Sequence, residues 1–111
     1  MAEGKERGAL TEAVFYILLA LHTPMHGYGI MQFVREISDG RVNLGAGTLY
    51  GAINTMLSKG WISALDQDQD SRKKEYEITA EGRSVVLDEI KRLEELVQNG
   101  KRIAEEYKKK S

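Results

Sequence analysis

Few side chains in this 111-residue sequence could perform covalent or metal chemistry. His22 and His26 stand four apart, a spacing that pairs two imidazoles on a helix face, but Pro24 lies between them and breaks any shared face. No metal site is expected there. Cysteine is absent, which removes a disulfide framework, a thiol nucleophile and every thiolate ligand set. Glu94-Glu95 and Glu105-Glu106 are adjacent pairs whose members point to different faces of a helix, so neither forms a catalytic carboxylate dyad. Without a glycine-rich phosphate loop, a nucleophile elbow or a zinc motif, the sequence does not read as an enzyme and calls for no cofactor.

What remains is the chemistry of contact. Between residues 47 and 58 the apolar residues Leu49, Ile53, Met56 and Leu57 gather on one side of a helical wheel at about 100° per residue. Gly47, Thr48, Gly51, Asn54, Thr55 and Ser58 fall on the other. A plain solvent face is usually written with Lys and Glu, whereas these small residues weaken the helix and allow close approach to a partner. Such a ridge suits the major groove of DNA: Gly51 holds nothing off, Asn54 can pair with an adenine edge, and the hydroxyls can reach bases or phosphates. Tyr50 lies at the margin, able to meet either core or phosphate. Cations for the backbone come from Arg72, Lys73 and Lys74, although Asp66, Asp68 and Asp70 share the same connection.

The elements that must position these residues follow from periodicity. Residues 1–9 are polar and read as a flexible arm. Thr11 stands as an N-cap before Val14, Ile17, Leu18 and Leu21, a helical stripe ended by Pro24. Ile30, Phe33, Val34 and Ile37 mark a second helix after a Gly27-Tyr28-Gly29 turn, and Phe15 reads as core. The third helix stops at Lys59-Gly60, a cationic end followed by a glycine. Residues 61–65 and 74–78 then read as a β-hairpin, with Trp61 as a core plug at its base. Thr79 caps a last helix whose apolar residues Val86, Ile90, Leu93 and Val97 alternate steps of four and three, continued by Ala104 and Tyr107. Gly100 either continues this register or, as Asn99-Gly100, ends the helix.

This order predicts a mostly α fold with a small β-hairpin: a winged helix-turn-helix over residues 10–78 and a terminal dimerisation helix over 79–111. The terminal stripe, Val86, Ile90, Leu93, Val97, Ala104 and Tyr107, is expected to meet a second copy. Two such modules hold their third helices about 34 Å apart, one turn of a palindromic duplex. The net charge of −1 gives little non-specific attraction for nucleic acid, so the arrangement of charge must decide. A winged helix that binds protein instead, or a ligand carrier, is the competing reading. The longest apolar run, Ala13 to Leu21, is too short to cross a membrane, and a cytoplasmic location is expected.

Four segments in order, Met25-His26-Gly27-Tyr28-Gly29, Gly47-Thr48-Leu49-Tyr50, Lys59-Gly60-Trp61-Ile62 and Lys74-Glu75-Tyr76-Glu77-Ile78-Thr79-Ala80-Glu81-Gly82, resemble the PadR family of bacterial transcriptional regulators. The resemblance spans about residues 9–98 and looks like the compact subfamily. It implies a winged-helix dimer that represses transcription at a double-stranded operator and is often released by a small aromatic or drug-like effector. Gly51 stands where many members have proline. No tryptophan follows Trp61, so Tyr107 is the only aromatic of the terminal segment.

Overall fold

The computed structural model describes residues 8–65 and 74–110. Its elements are α1 (Glu12–Ala20), β1 (Met25–His26), α2 (Gly27–Ile37), α3 (Ala46–Ser58), β2 (Ile62–Leu65), β3 (Glu75–Ile78) and α4 (Ala80–Lys110). The strands form one antiparallel sheet in the order β1-β3-β2. Four helices around a small sheet carry the expected winged-helix architecture. Of the expected N-terminal arm, Gly8 and Ala9 are exposed, and residues 1–7 lie outside the described residues.

The start of α1 follows from its cap: the Thr11 hydroxyl accepts from the Val14 amide at 3.1 Å. Glu12, in the first turn, is held by the Arg41 guanidinium, with Arg41 Nη1 2.8 Å from Glu12 Oε1. Ile17, Leu18 and Leu21 are fully buried, as their spacing requires. They meet Ile30 and Val34 of α2 and Leu49, Ile53 and Met56 of α3 in one core. At the other end of α1, His22 Nδ1 lies 3.0 Å from the Leu18 carbonyl oxygen, so this imidazole closes its own helix. His26 belongs to β1 instead, opposite Glu75. Among the described residues no group of three His, Cys, Asp or Glu side chains could hold a metal.

Three details differ from the periodicity reading. Gly27-Tyr28-Gly29 is the first turn of α2, not a turn ahead of it, and Met25-His26 adds a third strand to the expected hairpin. Two residues are too few to show an alternation, so β1 exists only through its pairing with β3. Ile37, expected in the core stripe, is 46% exposed because the chain leaves the helix at the next residue. Ser38 makes that exit: its hydroxyl donates to Val34 O at 2.8 Å and accepts from the Val42 amide at 2.9 Å.

The hairpin pairs Ile62 with Ile78 and Ala64 with Tyr76, which turns Tyr76 and Ile78 inward. Thr79 ties this wing to α4. Its hydroxyl donates toward the Gly60 and Trp61 carbonyls at 2.7 and 3.0 Å and accepts from the Gly82 amide at 3.0 Å. Gly82 lets α4 cross Trp61 closely, since a Cβ there would collide with the Trp61 carbonyl oxygen. The helix runs unbroken through Gly100 to Lys110.

The terminal stripe divides in two. Val86 is only 3% exposed and Ile90 packs against the same core, so these two, expected to face a second copy, serve their own chain. The reason is geometric: the first three turns of α4 lie over α1 and the sheet before the helix leaves the body.

Candidate nucleic-acid interface

α3 presents the predicted division of faces. Leu49, Ile53 and Met56 are buried, Leu57 is half-buried, and Gly47, Thr48, Gly51, Asn54, Thr55 and Ser58 are all exposed. No side chain from Ala46 to Ser58 is charged, so the outward ridge is polar and thin without being ionic. One of its hydroxyls is already engaged, because Thr55 Oγ1 donates to the Gly51 carbonyl at 3.2 Å. The helix begins at Gly45, which offers no side-chain cap, so the first amides of α3 remain available at the positive end of its dipole.

Tyr50 takes a middle course. Its residue is 42% exposed, yet its hydroxyl turns back over Gly27 at the start of α2, where a Cβ would run into it. Burial, and secondarily the neighbouring Tyr50, push the Tyr76 phenol above its ordinary pKa. The two tyrosines therefore join α3, the start of α2 and the sheet.

The wing contributes Lys74, half-buried immediately before β3. Arg72 and Lys73, the other expected phosphate contacts, lie outside the described residues. Beside the wing, Glu75 Oε2 stands 3.8 Å from His26 Nε2 across the β1–β3 pairing.

A second exposed line was missed by sequence reasoning. Tyr28, Gln32 and Arg35 follow one another at i, i+4 and i+7 on α2, with Gln32 Nε2 3.4 Å from the Tyr28 hydroxyl. With Asn43 and Leu44 they line a cavity of about 180 Å³ beside the approach to α3. The signal was present as the polar complement of the Ile30, Phe33 and Val34 stripe.

The description "Transcriptional regulator PadR-like family" fits residues 16–88, about two thirds of the chain, from within α1 to the buried part of α4. The chain belongs to the PadR-like family. Solved structures share its fold. A PadR family transcription regulator from Clostridium difficile is 29% identical, with a TM-score of 0.63 over 83% of this chain and 96% of that one. A PadR family transcriptional regulator from Eggerthella lenta is 24% identical, with a TM-score of 0.68 over 83% of this chain and 80% of that one. The smu.1704 structure from Streptococcus mutans is 20% identical, with a TM-score of 0.67 over 89% and 93%. A search of curated proteins gives no match. Membership in the PadR-like family makes this chain a transcriptional regulator with a DNA-binding fold, and sets it apart from enzymes. No helix among its described residues is long and apolar enough to cross a membrane.

Proposed function

We propose that this PadR-like chain is a dimeric, sequence-specific repressor that reads a palindromic operator with α3 and is released by a small aromatic effector. The observation that carries the reading is the uncharged, side-chain-poor outward face of α3, backed by a buried apolar face that fixes its orientation. In this reading Gly47 and Gly51 bring the helix close to the base edges, and Asn54, Thr55 and Ser58 supply the hydrogen bonds. Thr48 and the free amides at the start of α3 meet phosphate. Tyr50 contributes from the margin of the ridge, while Arg72, Lys73 and Lys74 bring the wing to the backbone. Tyr28, Gln32 and Arg35 extend the same footprint along α2, the helix that crosses the backbone in this fold class.

Dimerisation supplies what one weakly charged module lacks. Leu93 is 37% exposed, Leu96 53%, Val97 54% and Ile103 54%, a stripe along the part of α4 that leaves the body. Ala104 and Tyr107 continue it. Burying these residues against a second copy removes the apolar surface from water and doubles the contacts with a two-fold operator. The regulator would act in the cytoplasm, where its operator is.

The test is a mobility shift on a duplex containing the regulator's own upstream region, over a salt series and against mixed-sequence competitor. Binding should fall steeply with salt. Asn54→Ala is expected to lose about 1–3 kcal/mol of discrimination at one base pair. Lys74→Ala should weaken all duplexes alike and reduce the salt slope by about one. Unchanged operator binding in both variants would remove α3 and the wing from the interface.

A further inference from the structure

Asn99-Gly100 stands inside α4, and the function proposed above gives this pair no part. Every residue from 93 to 109 is exposed and the core ends at Ile90, so this stretch is held by its own helical hydrogen bonds. A lone helix of that length is marginal in water, and a glycine in its interior weakens it further. Local opening around Gly100 therefore costs less than opening any element of the core.

The pair also carries two atoms that can react. Asn99 Cγ is an electrophile, and a bond from it to the Gly100 amide nitrogen closes a five-membered ring. In the closed helix that nitrogen donates its proton to the carbonyl four residues back, and a backbone ψ of about −42° keeps it away from Cγ. Once the turn opens, nothing hinders it: Gly100 has no side chain, and nothing lies within 4 Å of where its Cβ would stand. The other asparagines of the sequence, Asn43 and Asn54, are exposed too, but they precede Leu44 and Thr55, whose branched side chains crowd the amide. Asp39-Gly40 offers the same backbone atoms, yet there the Gly40 amide donates to the Arg35 carbonyl at 2.8 Å in the turn that ends α2.

We propose that Asn99 is a self-modification site, exposed to reaction when distal α4 opens and converted there to an isoaspartyl residue. The deprotonated Gly100 nitrogen bonds to Asn99 Cγ, the Cγ–Nδ2 bond breaks, and ammonia leaves with a proton from water. Water then opens the resulting succinimide. Attack at the Asn99 backbone carbonyl breaks its bond to the Gly100 nitrogen, so the chain runs through Cβ and Cγ and the α-carboxylate is freed. Attack at Cγ gives aspartate instead. Either way one water is consumed, one ammonia is released and nothing is oxidised or reduced.

The position gives the change a consequence. Gly100 lies at the centre of the exposed apolar stripe, with Leu96 and Val97 one turn before it and Ile103 and Ala104 one turn after. An added methylene in the backbone turns the two halves of the stripe out of line, and the freed carboxylate puts a negative charge beside it. This part of the inference rests on the two-fold contact proposed above: a second copy over the stripe keeps α4 closed and Asn99 intact. A dissociated chain is modified and loses its ability to pair.

The test holds the full chain at mildly alkaline pH and follows it by intact mass and by peptide mapping with isoaspartate detection. A gain of about 1 Da, an amide NH2 exchanged for OH, is expected at Asn99. It should appear about tenfold faster than at Asn43 or Asn54, and about tenfold slower in the paired chain than in the dissociated one, each identified by sedimentation. The rate should rise with pH, because the attacking nitrogen must lose its proton. Leu96→Glu combined with Ile103→Glu should remove the protection, and Gly100→Ala should stop the conversion with the helix retained in circular dichroism. The purified isoaspartyl chain should lose helicity and sediment as a monomer. Asn99→Asp, with the same charge on an unaltered backbone, should still pair. The proposal is overturned by an Asn99 that stays intact in the dissociated chain, by equal rates at the three asparagines, or by an isoaspartyl chain that pairs as well as the parent. Equal rates in paired and dissociated chains overturn the protection. A chain that is monomeric at every concentration and still converts at Asn99 sinks the two-fold contact and supports the site.

Discussion

Thr79 and Gly82 show how single residues set the angle between wing and terminal helix. The Thr79 hydroxyl bridges two carbonyls at the end of α3 to the first turn of α4, and Gly82 keeps that turn against the Trp61 backbone. Gly82→Ala would force a methyl into a backbone carbonyl that cannot rotate away, and a loss of about 3 kcal/mol is expected in denaturant unfolding. Gly27→Ala has a different outcome, since its obstacle is the mobile end of Tyr50. There the phenol should swing outward at small cost, seen as altered Tyr50 ring shifts in NMR. Glu12 offers a pH test. The hydrogen bond from Arg41 holds its carboxyl below the ordinary glutamate range. A depressed folded-state pKa stabilises above the unfolded value and loses that contribution as pH falls through the folded one. Glu12→Gln should therefore differ from the parent in thermal melts at neutral pH and converge with it in acid.

Among the elements, α1 and α3 were legible because their apolar residues repeat at helical spacing and their ends carry a threonine cap or a glycine stop. Gly60 takes φ +77°, the left-handed geometry that its place after Lys59 implied. β1 was not legible, for a two-residue strand has no period of its own. α4 left one question open at Gly100, and its continuity decides it: the glycine sits inside the helix with open space where a Cβ would go. Gly100→Ala should accordingly stabilise the distal helix by about 0.5–1 kcal/mol, measurable as greater helicity and slower amide exchange beyond residue 95. A reduction in helicity would mean that the segment bends there.

At the scale of the whole molecule, α4 is the long feature of a body measuring 63 × 37 × 21 Å. Its first turns complete the core, and its remainder carries an exposed apolar stripe that is wider than the heptad reading allowed. Leu96 and Ile103 belong to it although neither falls on the expected seam, because side chains at i+3 and i+4 share a helix face. Leu96→Glu combined with Ile103→Glu is expected to yield a folded monomer in sedimentation analysis, with operator affinity falling at least tenfold. A folded dimer that tolerates both charges would place the two-fold contact elsewhere.

The sequence by itself determined the helices with strong periodicity, the caps at Thr11 and Thr79, the polar ridge of α3 and the family, since each depends on neighbours close along the chain. Only the tertiary structure decided which part of the terminal stripe is internal, because burial of Val86 and Ile90 depends on where α1 and the sheet lie relative to α4. The same holds for Tyr50, whose hydroxyl is turned toward Gly27. These pair residues from separate elements, and an apolar residue facing its own core carries the same letter as one facing a partner.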